Sequence, residues 1–294
     1  MKKIVISGVT GMLGSMLYKV IKNKYKLILI ARSEKKIDAL HKAYGKSEFT
    51  NIFFFDFFKI YNDFIKKSPA SPTPELLKLV KKIGSIDAFI NCTGIINRYS
   101  NQNPIETFFI NSALPHLLSN FYREKLIHVT TDCVFSGKQN KPYNEKSSPD
   151  PTDLYGLTKY LGEPSTNSLV LRSSFIGPEI AGFVSLFEWF KRTKKNTIGY
   201  TNHLWNGITT KQFAKLCIKI INRRKDYPAH GLFHIYSNSV SKYRMLLAFK
   251  KILDKKINVI PTSVDSIDRR LSSCYNFSHK LSIPKFEKML EDFY

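Results

Sequence analysis

Two short stretches of this sequence carry groups suited to moving a proton beside a polarised oxygen. In the first, TTDCVFSG at 130–137, the hydroxyls of Thr130 and Thr131, the Asp132 carboxylate and the Cys133 thiol follow the apolar run LIHV. Polar groups at the end of a buried strand either cap a turn or face a ligand, and the residues alone leave both readings open. The second stretch, DLYGLTKYLGE, holds Tyr155, 24 residues past Thr131, and Lys159. That spacing places the phenol and the amine on one face of a helix. Tyrosine titrates at about 10 when unperturbed, and a neighbouring ammonium lowers that value by favouring the phenolate. Such a tyrosine passes a proton to or from a carbonyl or alcohol oxygen at neutral pH. Thr131 would hydrogen-bond the same oxygen, and a hydride would come from a nicotinamide.

The elements that must position these groups read as a parallel sheet. Short apolar runs recur at Ile4–Ile6, Leu27–Ile30, Ile52–Phe55, Ala88–Ile90, Leu126–Val129 and Leu169–Leu171. Helically spaced segments at Met12–Ile21, Glu75–Ile83 and Pro104–Phe121 lie between them. Continuous apolar strands alternating with helices predict a doubly wound α/β sheet covered on both faces. Ligands of such sheets sit outside the carboxyl ends of the strands, where TTDCVFSG would stand. Ser68–Pro74, with three prolines, reads as a surface loop. Further on, helices are predicted at Phe183–Phe190, Lys211–Ile221 and Lys242–Leu253, a last strand at Gly231–Tyr236, and a short strand at Ile257–Ile260 ended by Pro261. The predicted division is a dinucleotide-binding Rossmann domain at 1–174, completed by about 204–237. A smaller, interleaved C-terminal substrate lobe would be formed by 175–203 and 238–294.

The front of the chain supplies a phosphate loop. SGVTGMLGS, residues 7–15, places Gly8, Gly11 and Gly14 between a strand and a helix. Glycine permits a tight turn and close approach to a pyrophosphate, and the helix start offers free N–H groups. Thr10, Met12 and Leu13 belong to the same candidate loop. The second strand ends in LILIARSEKK, with Arg32 and Ser33 where an NAD-binding protein usually carries an acidic residue. Arginine pairs well with phosphate, so NADP(H) is preferred and NAD(H) is the alternative. Asp56, with Phe57, ends the third strand and would meet the adenine edge, unless Asp56 merely caps the following turn. In NCTG, 91–94, the small residues Cys92, Thr93 and Gly94 leave room for the cofactor's ribose and phosphates.

Composition sets limits. The chain has 294 residues, 46 of them basic and 23 acidic, for a net charge of +23. The lysines are dispersed and no nucleic-acid-binding motif is present, so the positive field suits a small anionic substrate better. No apolar run reaches the ~18 residues of a membrane span. MKKIVISGVTG has the charged front of a signal peptide, but its apolar part is short and broken by glycines, which predicts a cytoplasmic protein. The cysteines Cys92, Cys133, Cys217 and Cys274 read as free thiols, and no spacing suggests a metal site.

Together these motifs resemble the extended short-chain dehydrogenase/reductases, and more closely the dTDP-4-dehydrorhamnose reductase branch. That branch shows S/T-T-D-Y-V-F-x-G, then P-Y-x-E, then Y-G-x-S/T-K-x-x-G-E. Here these read TTDCVFSG, Pro142-Tyr143-Asn144-Glu145 and YGLTKYLGE. The likeness is dense over 125–177 and recognisable over most of the chain. It implies NADPH-dependent reduction of the 4-keto group of a nucleotide-diphosphate deoxysugar for surface polysaccharide, with Thr131, Tyr155 and Lys159 as the catalytic trio. It further implies that Asp132 meets the sugar, that Asn111 stands behind the site, and that Arg172 and Ser173 lie near the nicotinamide. Arg269 would take the substrate diphosphate, as bidentate arginine–phosphate pairing favours. Trp205 would line the substrate loop or serve as a core residue, and Phe175 would form an aromatic wall. A homodimer is the assembly the resemblance suggests.

Cys133 replaces the branch's tyrosine. The sequence therefore also resembles GDP-fucose synthase, in which a cysteine and a histidine epimerise the sugar before reduction, and His203 would be the partner here. A lowered thiol pKa would be needed for that chemistry. A third alternative is a non-catalytic, NADP-binding regulatory subunit. The related sugar-nucleotide 4,6-dehydratases carry Asp-Glu after the threonine for elimination; here glutamate is absent after Asp132, so the resemblance implies that dehydration is not the reaction.

Overall fold

Valine, isoleucine and leucine runs without polar alternation fold here as strands covered on both faces. The computed structural model describes residues 1–66 and 73–293. Seven strands form one sheet: β1 (Lys3–Ser7), β2 (Lys26–Ala31), β3 (Thr50–Phe54), β4 (Ala88–Asn91), β5 (Leu126–Thr131), β6 (Leu169–Ser173) and β7 (Gly231–His234). Their spatial order is β7-β6-β5-β4-β1-β2-β3, and every pairing is parallel. This is the Rossmann order extended by one strand. The chain reverses direction across the sheet between β1 and β4, and a crevice opens at their carboxyl ends.

Alternate residues of each strand serve opposite layers. Ile4, Ile6, Leu27 and Leu29 pack under α1 (Met12–Ile21), while Val5, Ile28, Ile30 and Phe89 face the other side. That second layer holds α3 (Pro74–Ile83) and α4 (Leu114–Tyr122), through Leu76, Leu79, Ile83, Leu117 and Leu118. The outer element α2 (Glu34–Tyr44) buries only Ile37 and Leu40. Beyond them come α5 (Leu154–Leu161), α6 (Thr210–Asn222) and α7 (Lys242–Ile252).

The C-terminal segments add short strands. His203–Trp205 pairs with Val240–Ser241 and with Ile267–Asp268, and Thr197–Tyr200 pairs with Val259–Thr262. Their apolar residues Phe187, Phe190, Phe249, Phe286 and Phe293 belong to the same cluster as Leu17 and Tyr18. The apolar side chains of these segments are thus continuous with the core under α1.

Several boundaries differ from the sequence reading. The helix predicted over Phe183–Phe190 runs Leu186–Arg192, because Ser185 caps it by accepting the Glu188 N–H and Phe183 adopts a φ of 50°. The helix predicted over Pro104–Phe121 is interrupted by a π turn at Phe109–Ala113. Pro261 lies inside its strand, paired with Gly199, which an edge position allows because a missing N–H costs nothing there. Of the loop expected at Ser68–Pro74, residues 68–72 lie outside the described residues. Among the described residues no helix is long and apolar enough to cross a membrane.

Candidate active site

All six residues of β5 are buried, so the strand delivers Thr131 to the carboxyl end of the sheet on a fixed backbone. Its hydroxyl accepts the Cys133 N–H at 3.2 Å and donates to Asp132 Oδ1 at 3.3 Å. Thr131 is thus both the cap of the turn Asp132–Val134 and a member of the site. Helix α5 stacks directly on that turn. Asp153 caps it, accepting the Gly156 N–H at 2.7 Å. The close approach depends on Gly156, where a Cβ would stand 2.2 Å from the Cys133 carbonyl oxygen. This packing sets the Tyr155 phenol beside the Thr131 hydroxyl, which acts to lower its pKa.

One turn along α5, Lys159 is 5% exposed and its ammonium donates to the Val129 carbonyl at 2.8 Å. Burial lowers its pKa to about 8, against the raising influence of Glu163 and Cys92. Tyr155 moves the other way. Burial raises its pKa, Cys133, Asp132 and Asp153 add to that, and only the Thr131 hydrogen bond opposes it. The expected lowering of the phenol by the ammonium is absent, because Lys159 is turned toward the Val129 carbonyl. Tyr155 is a neutral phenol at physiological pH, the form that gives a proton away.

The cofactor candidates gather at the carboxyl ends of β1, β2 and β4. Gly8 has a φ of 67° and would place a Cβ 2.5 Å from the Cys92 backbone, and Gly14 would place one 2.3 Å from the Gly8 carbonyl. Gly11 is the exposed N-cap of α1, which has no side-chain cap and no acidic residue in its first turn. A bare helix start of this kind receives phosphate, so Gly8, Thr10, Gly11, Met12, Leu13 and Gly14 fit a dinucleotide pyrophosphate. Arg32 keeps a side chain 55% exposed, with one loose ion pair to Glu106 at 3.4 Å, and Ser33 starts α2 without using its hydroxyl as a cap. Gly94 faces the site, its Cβ position being 3.4 Å from Asn111 Oδ1 and 3.9 Å from Lys159 Nζ. Cys92 and Thr93 continue from β4, and Asn91 holds the Thr93 N–H at 3.1 Å.

Asn111 acts on the protein itself. Its amide accepts the Ile95 N–H at 2.8 Å, donates to the Ile95 carbonyl at 2.9 Å and reaches Thr158 at 3.1 Å. It sits in the π turn, a local irregularity common at functional sites, and ties the loop after β4 to α5.

Arg172, Phe57 and Ser173 depart from the sequence expectation, and for Trp205 and Asp56 the structure favours the second of the two readings left open. Arg172 is 2% exposed, with its guanidinium paired to Glu163 at 2.6 Å, bonded to His234 at 2.9 Å and stacked over Phe135. It braces the core and has no free donor edge for a nicotinamide. Trp205 is the core residue, packed edge-on against Phe286 at 5.7 Å between ring centroids. Phe57 is buried among the aliphatic residues under β2, which leaves no side-chain edge for an adenine. Asp56 caps the turn after β3 through the Phe58 N–H at 3.1 Å. Ser173, expected beside Arg172, is fully buried and donates to the Ile235 carbonyl. Phe175 is partly exposed and edge-on to Phe213.

The substrate candidates meet where the C-terminal segment folds back. Tyr143 and Leu271 form a bridge, and Tyr143 stacks on Phe135 at 4.1 Å. Asp268 N–H bonds to the Gly137 carbonyl at 2.8 Å. These contacts carry Arg269 onto Cys133, with Nη1 3.7 Å from the sulfur. Burial raises the Asp132 carboxyl, opposed by Arg269 and Lys242. Burial and Asp132 push the Cys133 thiol up to about 12. His203 bonds the Asp265 carbonyl at 3.0 Å and lies on Tyr200.

Sequence reasoning missed two features. Lys242 joins the cluster around Asp132. Glu145, quoted only as part of a motif, receives the His234 and Cys274 N–H groups at 3.0 Å and the Ser273 hydroxyl at 2.6 Å. No local signal marks either, since both partner sets lie far away in sequence. Among the described residues no cluster could hold a metal ion.

The RmlD substrate binding domain matches residues 100–273, and the NAD dependent epimerase/dehydratase family matches 4–170. A spore coat polysaccharide biosynthesis protein of Bacillus subtilis is 28% identical over 123 residues, covering 40% of this chain and 42% of that protein. Methionine adenosyltransferase 2 subunit beta of Danio rerio is 29% identical over 136 residues, covering 42% of each. The chain thus spans about two fifths of the length of these curated relatives. A crystal structure of dTDP-4-dehydrorhamnose reductase from Bacillus anthracis in complex with NADP superposes with a TM-score of 0.70 at 18% identity, covering 100% of this chain and 98% of that one.

Proposed function

Because this chain belongs to the extended short-chain dehydrogenase/reductase family, in the branch with an RmlD substrate-binding domain, we propose that it reduces a nucleotide-linked keto sugar. The observation that carries this reading is the seating of the helix bearing Tyr155 on the turn after Thr131, through Gly156, with the Lys159 ammonium one helical turn away held by the Val129 carbonyl. Thr131 and Tyr155 would together bind the carbonyl oxygen. As that oxygen gains negative charge, Tyr155 gives up its proton. The Thr131 hydroxyl holds the oxygen in line, and Asp132 accepts a hydroxyl of the sugar.

A bound nicotinamide dinucleotide supplies the hydride. Its pyrophosphate would rest on the start of α1, and Lys159 and Gly94 would border its nicotinamide half. NADP(H) suits the chain better than NAD(H), since Arg32 is exposed and only loosely paired after β2 and no carboxylate takes its place. The dTDP-4-dehydrorhamnose reductase fold and the polysaccharide protein of Bacillus subtilis support a 4-keto-6-deoxysugar substrate and a surface-polysaccharide product.

Epimerisation through Cys133 gains no support, because the thiol is held protonated and His203 is engaged elsewhere. Likeness to methionine adenosyltransferase 2 subunit beta favours, as a second reading, an NADP-binding subunit of another enzyme.

The test follows NADPH and NADH oxidation with dTDP- and UDP-linked 4-keto-6-deoxysugars made in situ. Turnover that Tyr155→Phe abolishes supports the reductase. Tight NADPH binding without turnover on any of these sugars favours the subunit.

A further inference from the structure

Two lysine-rich stretches, distant in sequence, fold into one surface. KRTKKN at 191–196 continues from the helix Leu186–Arg192, and KKILDKK at 250–256 closes α7. Together they hold eight cations in thirteen residues, against 46 in 294 for the whole chain, so the density is local and not compositional. Lys255 Nζ donates to the Lys191 carbonyl at 2.9 Å, the Asn258 N–H to Asn196 Oδ1 at 2.8 Å and the Thr197 N–H to the Asn258 carbonyl at 3.0 Å. Six of the eight cations are exposed. The one carboxylate in either stretch, Asp254, pairs with Lys256 at 3.0 Å while the two side chains stay 87% and 85% exposed, so it neutralises little. Helix C-termini account for Lys191, Arg192, Lys250 and Lys251 in the last turns. They give Lys194, Lys195 and Lys256 no task.

Aliphatic side chains stand at the same edge. The strands Thr197–Tyr200 and Val259–Thr262 lead out of the two stretches, and their register sets Ile198 beside Ile260, 47% and 51% exposed. Gly199 packs on Tyr243 of α7, so alternation along the strand turns Ile198 outward. An exposed pair of this kind among cations suits a surface that offers anions and hydrocarbon together. Nucleic acid offers the anions, but its bases stack on rings, which isoleucine lacks.

We propose that this edge docks on an anionic phospholipid bilayer, with Lys194, Lys195 and Lys256 at the phosphates and Ile198 and Ile260 at the headgroup–acyl boundary. The contact is peripheral, since among the described residues no helix is long and apolar enough to cross a membrane. The inference rests on neither the reductase reading nor the subunit reading, and it would place either activity at a membrane surface.

Sedimentation of the full chain with vesicles tests it, using phosphatidylcholine alone and equimolar phosphatidylcholine and phosphatidylglycerol. Wild type should pellet with the mixed vesicles only. Lys194→Gln, Lys195→Gln and Lys256→Gln combined should weaken that binding about 10-fold or more. Exposed lysines of α3, changed together as Lys78→Gln, Lys81→Gln and Lys82→Gln, remove the same charge elsewhere and should stay within about threefold of wild type. Ile198→Ser with Ile260→Ser should weaken binding about threefold or more at unchanged charge. Circular dichroism melting checks that each variant is folded, and Ile198→Ser alone is read in the same way if the double variant melts early. Absence of pelleting, equal weakening by both lysine sets, or an isoleucine variant that binds as wild type does would overturn the proposal. That last result, joined with tight binding of random duplex DNA, would assign the edge to nucleic acid.

Discussion

The α-carbon of Gly156 lies so close to the Cys133 carbonyl oxygen that a Cβ there would stand 2.2 Å from it. That contact joins the helix bearing the acid to the turn bearing the substrate residues. Gly156→Ala must push α5 away and so part Tyr155 from Thr131. A misplacement of about 1 Å at a reacting centre costs roughly 10²-fold. We predict a fall of that order in kcat/KM, with destabilisation of about 1–3 kcal/mol from overpacking. Steady-state kinetics beside urea unfolding measure both, and wild-type activity in this variant would contradict the packing argument.

Lys159 gives stability a pH dependence with a definite sign. Its folded pKa is about 8, against 10.5 for the free side chain. Between those values the unfolded chain binds more protons, so this residue's contribution improves as pH rises. Below about 8 both states are charged and the penalty is complete, roughly 3 kcal/mol from the size of the shift. Lys159→Met should therefore gain over wild type at pH 7 and lose that advantage toward pH 10.5. Urea midpoints of the two proteins across this range decide it.

The same two pKa shifts predict the shape of the rate profile. Tyr155 is raised above its usual range and stays protonated, so the alkaline limb of kcat/KM belongs to Lys159, with a midpoint near 8. Lys159→Arg should move that limb out of the accessible range even at reduced activity, since guanidinium does not titrate there. A limb unmoved by this change would assign it to another group.

Arg172 and Glu163 form a buried ion pair, with side chains 3% and 7% exposed. Removing one partner strands the other charge, at a cost of about 3–5 kcal/mol. Arg172→Met should lower the denaturation midpoint accordingly and leave the affinity of the folded protein for NADP+ unchanged. A selective loss of NADP+ affinity at full stability would restore the residue to the cofactor site.

Arg32 is the converse case, exposed and loosely paired. Arg32→Ala should weaken NADPH about 10-fold through loss of a charge-assisted contact while sparing NADH and stability. Equal effects on both dinucleotides would argue against a role in selecting the phosphate.

The sequence by itself determined whatever rests on local chemistry. Apolar runs fixed β1, β2 and β4–β6, because strands buried on both faces admit few polar residues. Gly8 and Gly14 were legible because no side chain fits where each backbone meets its neighbour. The placing of Tyr155 and Lys159 on one helix and of Thr131 at a strand end was legible because a helical spacing of four and a strand end are short-range patterns. Tertiary structure decided what depends on distant partners. Arg172 and Trp205 resembled ligand residues, yet Glu163, His234 and Phe286 drew them into the core. Lys242 entered the sequence reading only as the start of a helix, and the influence of its charge on Asp132, 110 positions earlier, arises from the fold. Even the direction of the Tyr155 shift was decided in three dimensions, since desolvation and neighbouring acids outweigh an ammonium that points toward a backbone carbonyl. Burial and electrostatic fields are sums over everything packed nearby, and no spacing along the chain encodes them.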